Sequence, residues 1–396
     1  MLACQKHLFS LPENSHYLNC AYMSPIPRRV EEEGLAAIRQ KAKPQGIGPE
    51  DFFRASDEVR TLFARLTHIA DPQHVALIPA ASYGLATVAR NTSLRRGDKI
   101  VVVHEQFPSN IYTWHRLAEA KGGRVHVVLP PDGVEDRGAK WNERILDAID
   151  VHTSVVALPH VHWADGTRFD LARIGVRARE IGAALVIDGT QSVGALPFDV
   201  RALQPDALIC AGYKWLLGPY SLGVAYLGPR YECGVPLEEN WIARKNSEDF
   251  AGLVQYEDAY QPGALRFDVG ERSNFILAPM LVAGLKYLVD WGVESIQNYC
   301  ERLTHDALAE VQSLGYLFES PEWCAAHLFG VRLPPGLSVA HLHEALKIRD
   351  ISVSIRGNAV RISPHVYNDE GDMAALISAF SDGCRAETRK HYSLPI

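Results

Sequence analysis

Lys214 stands in the run Ile209-Cys210-Ala211-Gly212-Tyr213-Lys214-Trp215, just past an apolar strand-like stretch, and Asp188 closes another, Ala184-Leu185-Val186-Ile187-Asp188. A lysine held at the end of a buried element loses its proton readily and can condense with a carbonyl. A carboxylate at a neighbouring strand end can hold a protonated pyridine nitrogen. Together the two residue types point to pyridoxal phosphate, whose aldehyde needs the amine and whose ring needs the acid.

For these side chains to act together, their strands must lie side by side. Between residues 75 and 228 short apolar runs alternate with amphipathic stretches: 75–79 leads into 82–91, 99–103 into 110–121, 124–129 into 141–149, 154–158 into 171–181, and then comes 184–188. β-Branched runs separated by helical patterns predict βαβ units, and so an α/β fold with a three-layer α/β/α large domain and a mostly parallel sheet. Ligands of such sheets gather beyond the carboxyl ends of the strands. There the sequence places Ala81, Ser82 and Tyr83, then Phe107, then His160, His162 and Trp163, then Asp188 and Lys214. Beyond about residue 280 the texture changes to two long amphipathic helices, 280–291 and 293–314, followed by short strands near 328–333, 351–354 and 359–363 and helices starting at Val339 and Asp369. This reads as a smaller α+β C-terminal domain, giving 1–22 as an N-terminal segment, 23–280 as the large domain and 281–396 as the small one. Residues 229–272 show no period that assigns them an element.

The 396 residues suffice for two packed domains, and 47% hydrophobic with 22% charged residues is the balance of an ordinary globular protein. Net charge is −7, and no Lys/Arg block offers a footprint for a nucleic-acid backbone. The first sixteen residues lack the apolar core of a signal peptide, and no stretch is apolar for long enough to span a membrane, so a cytoplasmic protein is expected. Seven scattered cysteines without a CxxC pair argue against a disulfide framework or a structural zinc site. His160 and His162 have the spacing of two metal ligands, but no third is apparent, so no metal is expected.

With these residues in hand, the chain resembles the fold-type I pyridoxal-phosphate enzymes of the class V aminotransferase family, the group of cysteine desulfurases, isopenicillin N epimerase and kynureninase. Asp188-Gly189-Thr190-Gln191, Gly212-Tyr213-Lys214 and Val360-Arg361-Ile362-Ser363 carry the resemblance most specifically. It implies that Lys214 bonds the cofactor and moves the proton at the substrate Cα, that Asp188 pairs with the ring nitrogen, and that Gln191 bonds the ring oxygen. It further implies that Phe107 stacks on the ring, and that Ala81, Ser82 and Tyr83 cradle the phosphate with the Tyr213 hydroxyl. Arg361 matches the arginine that holds the substrate carboxylate, Asn19 and Ala21 a segment that closes over the substrate, and His162 and Trp163 residues that face it. Ser273 and Asn274 resemble a stretch that reaches the neighbouring subunit's phosphate, implying a homodimer with sites at its interface.

The resemblance implies amino-group transfer on a small or medium amino acid as first choice, with a C–S β-lyase, or an epimerase-like or kynureninase-like reaction, as the alternative. Cysteine desulfurases need a nucleophilic cysteine shortly before the carboxylate-binding arginine, and residues 325–360 contain none, so a protein persulfide is not expected. A nucleotide-binding dehydrogenase would share the alternating pattern, but no G-x-G-x-x-G follows the first strand, and Lys214 and Asp188 would be left unexplained.

Overall fold

The computed structural model describes residues 1–133, 136–334, 336–356 and 359–391. Its strands, in chain order, are β1 (His16–Tyr17), β2 (Val75–Ile78), β3 (Lys99–Val103), β4 (Arg124–Val128), β5 (Thr153–Pro159), β6 (Ala184–Asp188), β7 (Ala207–Ala211), β8 (Gly223–Leu227), β9 (Phe329–Arg332), β10 (Ile351–Ser352), β11 (Ser354–Arg356) and β12 (Ala359–Ile362). Seven of them form one sheet in the order β2-β8-β7-β6-β5-β3-β4. β4, β3, β5, β6 and β7 pair in parallel, while β8 runs antiparallel to both β7 and β2. The mostly parallel α/β sheet expected from the alternating pattern is therefore present, with one antiparallel strand that the pattern did not reveal.

Residues of the central strands are buried on both faces because helices cover each side. Ile100, Val102, Val186 and Ile209 pack under the helices Ala81–Arg90 and Ser109–Lys121, with Leu85, Val88 and Trp114. Val101, Val103, Ile187 and Leu208 point the other way, into a larger core shared with Leu281, Leu285 and Leu288 of the helix Leu277–Trp291. β4 lies at the sheet edge, which is why Arg124 and His126 can remain outside the core.

The C-terminal unit has its own antiparallel sheet, β11-β12-β9, and its own core of Val331, Leu342, Leu346, Val360, Ile362 and Phe380. The N-terminal segment belongs to this unit in space. β1 pairs in parallel with β10, and Leu18 is completely buried in that core, a burial that stabilises the seam by about 1.5–3 kcal/mol. The helix Leu277–Trp291 runs through residue 280 and packs on the helices Arg28–Lys41 and Asp51–Thr67, so the division expected at 280 falls inside an element. We propose that the chain passes to the C-terminal unit at Gly292, whose φ of +74° ends that helix. Among the described residues no helix is long and apolar enough to cross a membrane.

Candidate active site

Lys214 is placed by a tight loop between β7 and β8. The Gly212 N–H donates to the Leu222 carbonyl at 2.9 Å, and the Gly218 N–H donates to the Gly212 carbonyl at 2.9 Å. A Cβ on Gly212 would lie 2.4 Å from the Leu222 oxygen, so only glycine permits this closure. Leu217 and Ser221 adopt left-handed backbone, with φ of +55° and +66°, a strain the surrounding packing must hold. The loop buries Lys214 to 5% exposure, with its Nζ 5.6 Å from the Phe107 ring centroid and 5.5 Å from that of Tyr213. Burial pushes its pKa down to about 8; Arg361 and Arg356 act in the same direction and Asp188 opposes them.

Asp188 ends β6 one strand away. Burial pushes its carboxyl above the usual range, while the Thr190 N–H, donating at 3.0 Å, and the Lys214 charge favour the anion. The Thr190 hydroxyl accepts from the Ala211 N–H at 3.1 Å, which ties the two strand ends together. Gln191 is a junction: its Nε2 donates to the Ala21 carbonyl (3.1 Å), its Oε1 accepts from Trp215 Nε1 (2.9 Å), and its own carbonyl accepts from His327 Nε2 (2.8 Å).

These side chains line a cleft of about 270 Å³ together with Ala81, Ser82, Gln106, Phe107 and Trp163. Arg361 approaches from β12, 1% exposed, donating from Nη1 to the Trp163 carbonyl (2.7 Å) and from Nη2 to Ser354 Oγ (3.3 Å). Ser354 Oγ donates in turn to Asn19 Oδ1 at 2.9 Å. Asn19 therefore buttresses the arginine through Ser354, and Ala21 reaches the cleft through Gln191.

Of the expected residues, Asn19 and Arg361 lie behind the cleft's lining, and four more, His162, Tyr83, Ser273 and Asn274, stand apart from it. His162 is buried between Trp141 and Phe169, with Nδ1 3.0 Å from Asp165 Oδ1 and Nε2 3.1 Å from the His104 carbonyl, so its ring is packed in the core and does not line the cleft. The Tyr83 N–H donates to the Ala80 carbonyl at 3.0 Å and its hydroxyl to Glu238 at 3.1 Å, so both of its donors are already engaged. Ser273 donates to the Phe52 carbonyl, and Asn274 Oδ1 accepts from the Leu277 N–H at 2.8 Å at the start of a helix. Both line a separate cavity beside Arg29, Arg54 and Lys286. Thr190, His327, Ser354 and Arg356 were not singled out from sequence. Their places follow from strand register and from the docking of the C-terminal unit, which no local pattern announces.

The groups left unpaired show that this cleft suits pyridoxal phosphate. The helix Ala81–Arg90 starts without a side-chain cap, so its first N–H groups and Ser82 are free to take an anion. Phe107 is 37% exposed and offers a ring face, and a buried carboxylate stands at Asp188. Gln106 Oε1 and Arg361 Nε are buried without a partner among the described residues.

Comparison with known proteins agrees. The model of the family described as Aminotransferase class-V matches residues 48–376. An uncharacterized aminotransferase, YcbU of Bacillus subtilis, is 27% identical over 366 residues, covering 90% of each chain. A probable cysteine desulfurase of Methanothermobacter thermautotrophicus is 26% identical, covering 91% of this chain and 92% of its own. Among solved structures, a mutant of C-DES with glycine covalently linked to its pyridoxal-phosphate cofactor superposes with a TM-score of 0.84 at 18% identity, covering 96% of this chain and 99% of that one. The cysteine desulfurase CsdA of Escherichia coli superposes with a TM-score of 0.80, also at 18% identity, covering 96% and 98%. With a fold-type I architecture, a buried lysine beside a buried aspartate, and a family match over most of its length, this chain belongs to the class V aminotransferase family of pyridoxal-phosphate-dependent transferases and lyases.

Proposed function

We propose that the chain acts at the Cα of an amino-acid substrate and transfers its amino group to a keto acid. The observation that carries this reading is Lys214, the one amine among the described residues lining the cleft, pushed down to about 8 and so able to give and take a proton near neutral pH. When bound, pyridoxal phosphate supplies a pyridine ring that withdraws electrons from Cα. Ser82 and the N–H groups of Ala81 and Ser82 hold the phosphate, helped by the Tyr213 hydroxyl. Phe107 offers its face to the ring, Asp188 keeps the ring nitrogen protonated, and Gln191 bonds the ring oxygen with its remaining amide hydrogen. Arg361 holds the substrate carboxylate with a planar guanidinium. Lys214, when not bonded to the cofactor, would take the proton from Cα and deliver it on the same face to the carbon of the former aldehyde, which is the proton shift that amino-group transfer requires.

A single amine on one face favours transfer over epimerisation, which calls for a proton delivered from the opposite side. A C–S β-lyase is the second reading, supported by the relatives named cysteine desulfurase and by the likeness in fold to the cystine C-S lyase C-DES. The absence of cysteine from residues 325–360 separates either reading from persulfide formation on the protein. We also propose a homodimer. Ser273 and Asn274 lie outside their own chain's cleft, as expected of residues that serve a partner's phosphate.

The test is to incubate the pyridoxal-phosphate-loaded protein with a panel of amino acids and assay keto acid, pyruvate with sulfide, and loss of chirality in parallel. Keto acid formed only when an amino acceptor is supplied supports transfer. Pyruvate released without an acceptor replaces it with the lyase reading.

A further inference from the structure

The C-terminal unit brings a second arginine to the site. β11 and β12 are antiparallel, with Ser354 opposite Arg361 and Arg356 opposite Ala359. Opposed residues of a pleated pair share a face, and positions two apart along one strand do as well. Arg356 and Arg361 are therefore diagonal neighbours on one face of this hairpin. That face meets the cleft at Trp163: Arg361 donates to its carbonyl at 2.7 Å, and the Arg356 guanidinium lies 5.5 Å from its ring centroid. Trp163 itself lines the cleft and packs edge-on against Phe107.

Two like charges on diagonal positions repel, and such a pair persists when anions bridge it. No carboxylate among the described residues supplies that bridge. The bonds of Arg361 go to a carbonyl and a hydroxyl, and among the described residues Nη1 of Arg356 donates only to the neighbouring Ile355 carbonyl at 2.9 Å. The Nε atoms of both are buried without a partner among the described residues. The charges are felt: Arg356 helps burial push Arg361 down to about 10, and both act on Lys214. One substrate carboxylate offers two oxygens, enough to satisfy one guanidinium fork.

We infer that Arg356 is a specificity residue that binds a carboxylate at the end of the substrate's side chain, so that the enzyme takes dicarboxylic amino acids while Arg361 holds the α-carboxylate. This rests on the reading of the cleft as an amino-acid site. Aspartate and glutamate then bind across both arginines, whereas asparagine and glutamine, of the same shape, leave Arg356 unpaired.

The experiment compares kcat/KM of the loaded enzyme for each acid against its amide, in the wild type and in Arg356→Gln and Arg356→Lys. The wild type is expected to favour the acid by about tenfold or more, chiefly through KM, as loss of a charge-assisted hydrogen bond implies. Arg356→Gln collapses that ratio and Arg356→Lys restores part of it, with visible cofactor absorbance reporting that each variant is folded. An acid-to-amide ratio near one in the wild type, or one that Arg356→Gln leaves intact, overturns the inference. Calorimetric titration with glutarate and with butyrate separates this from the underlying reading, because it needs no turnover. Glutarate held more tightly than butyrate by the wild type but not by Arg356→Gln supports the arginine pair even if no amino acid reacts. Equal binding of the two diacid and monoacid probes counts against it.

Discussion

The two walls of the cleft are built on opposite electrical plans. On the sheet side, Lys214 faces Asp188, and the strand ends that carry them are tied by Thr190 to Ala211. On the hairpin side, Arg356 and Arg361 stand together with no carboxylate among the described residues. The sheet wall supplies its own counter-charge and is complete without substrate, whereas the hairpin wall is balanced only when an anion arrives. A pyridoxal-phosphate site thus keeps its chemistry on rigid strand ends and its substrate recognition on a small sheet that docks against them.

Breaking the sheet wall has the largest effect. Lys214→Ala is expected to lower turnover by at least about a thousandfold, because the variant has no group to carry the Cα proton; steady-state rates at saturating substrate check this. On the hairpin wall, Arg361→Gln raises KM by about 10- to 100-fold while the cofactor still binds. The same variant shifts the titration of the free Lys214 amine upward, since Arg361 is one of the charges holding it down, and the pH dependence of amine labelling at Lys214 in the cofactor-free protein reads the shift. Gly212→Ala sets a Cβ 2.4 Å from the Leu222 oxygen and is expected to cost about 1–3 kcal/mol in urea unfolding, a strain confined to the lysine loop.

A third contrast lies at the seam between the walls. His327 and His365 from the C-terminal unit pack on Trp215, and His327 is held neutral, donating from Nε2 to Gln191 and accepting at Nδ1 from the Gln297 amide at 3.0 Å. Burial pushes His327 down to about 4, and His160 and His365 to about 3. Below about pH 6.5 the unfolded chain binds protons at these rings that the folded chain does not, so stability rises with pH in that window. Thermal unfolding scans should show a melting temperature that falls as pH drops from about 6.5 towards 4. A flat profile there would mean that the rings are charged in the fold or accessible to water.

Much of the sheet wall was legible in the sequence because strand-end chemistry is local: an apolar run, a turn, and a polar residue just beyond announce both Asp188 and Lys214. Side-chain direction within a turn was less legible. Ser82 faces the cleft, whereas Tyr83, one residue on, is turned by about 100° around the helix towards Glu238. His162 and Trp163 show the same limit, since adjacent residues diverge and only the core decides which faces inward. The hairpin wall was half legible. Arg361 carried a motif, but Arg356 becomes its neighbour only through the register of β11 on β12. The N-terminal segment was harder still, because its pairing with β10 joins residues more than three hundred positions apart.

The central claim is that Lys214 is the residue that bonds the cofactor. Its most direct test is borohydride reduction of the purified, pyridoxal-phosphate-loaded protein, followed by proteolysis and mass spectrometry of the lysine peptides. The account predicts a stable pyridoxyl adduct on the peptide containing Lys214, and none in Lys214→Ala. An adduct spread over other lysines, or no adduct in a protein that binds the cofactor, would contradict it.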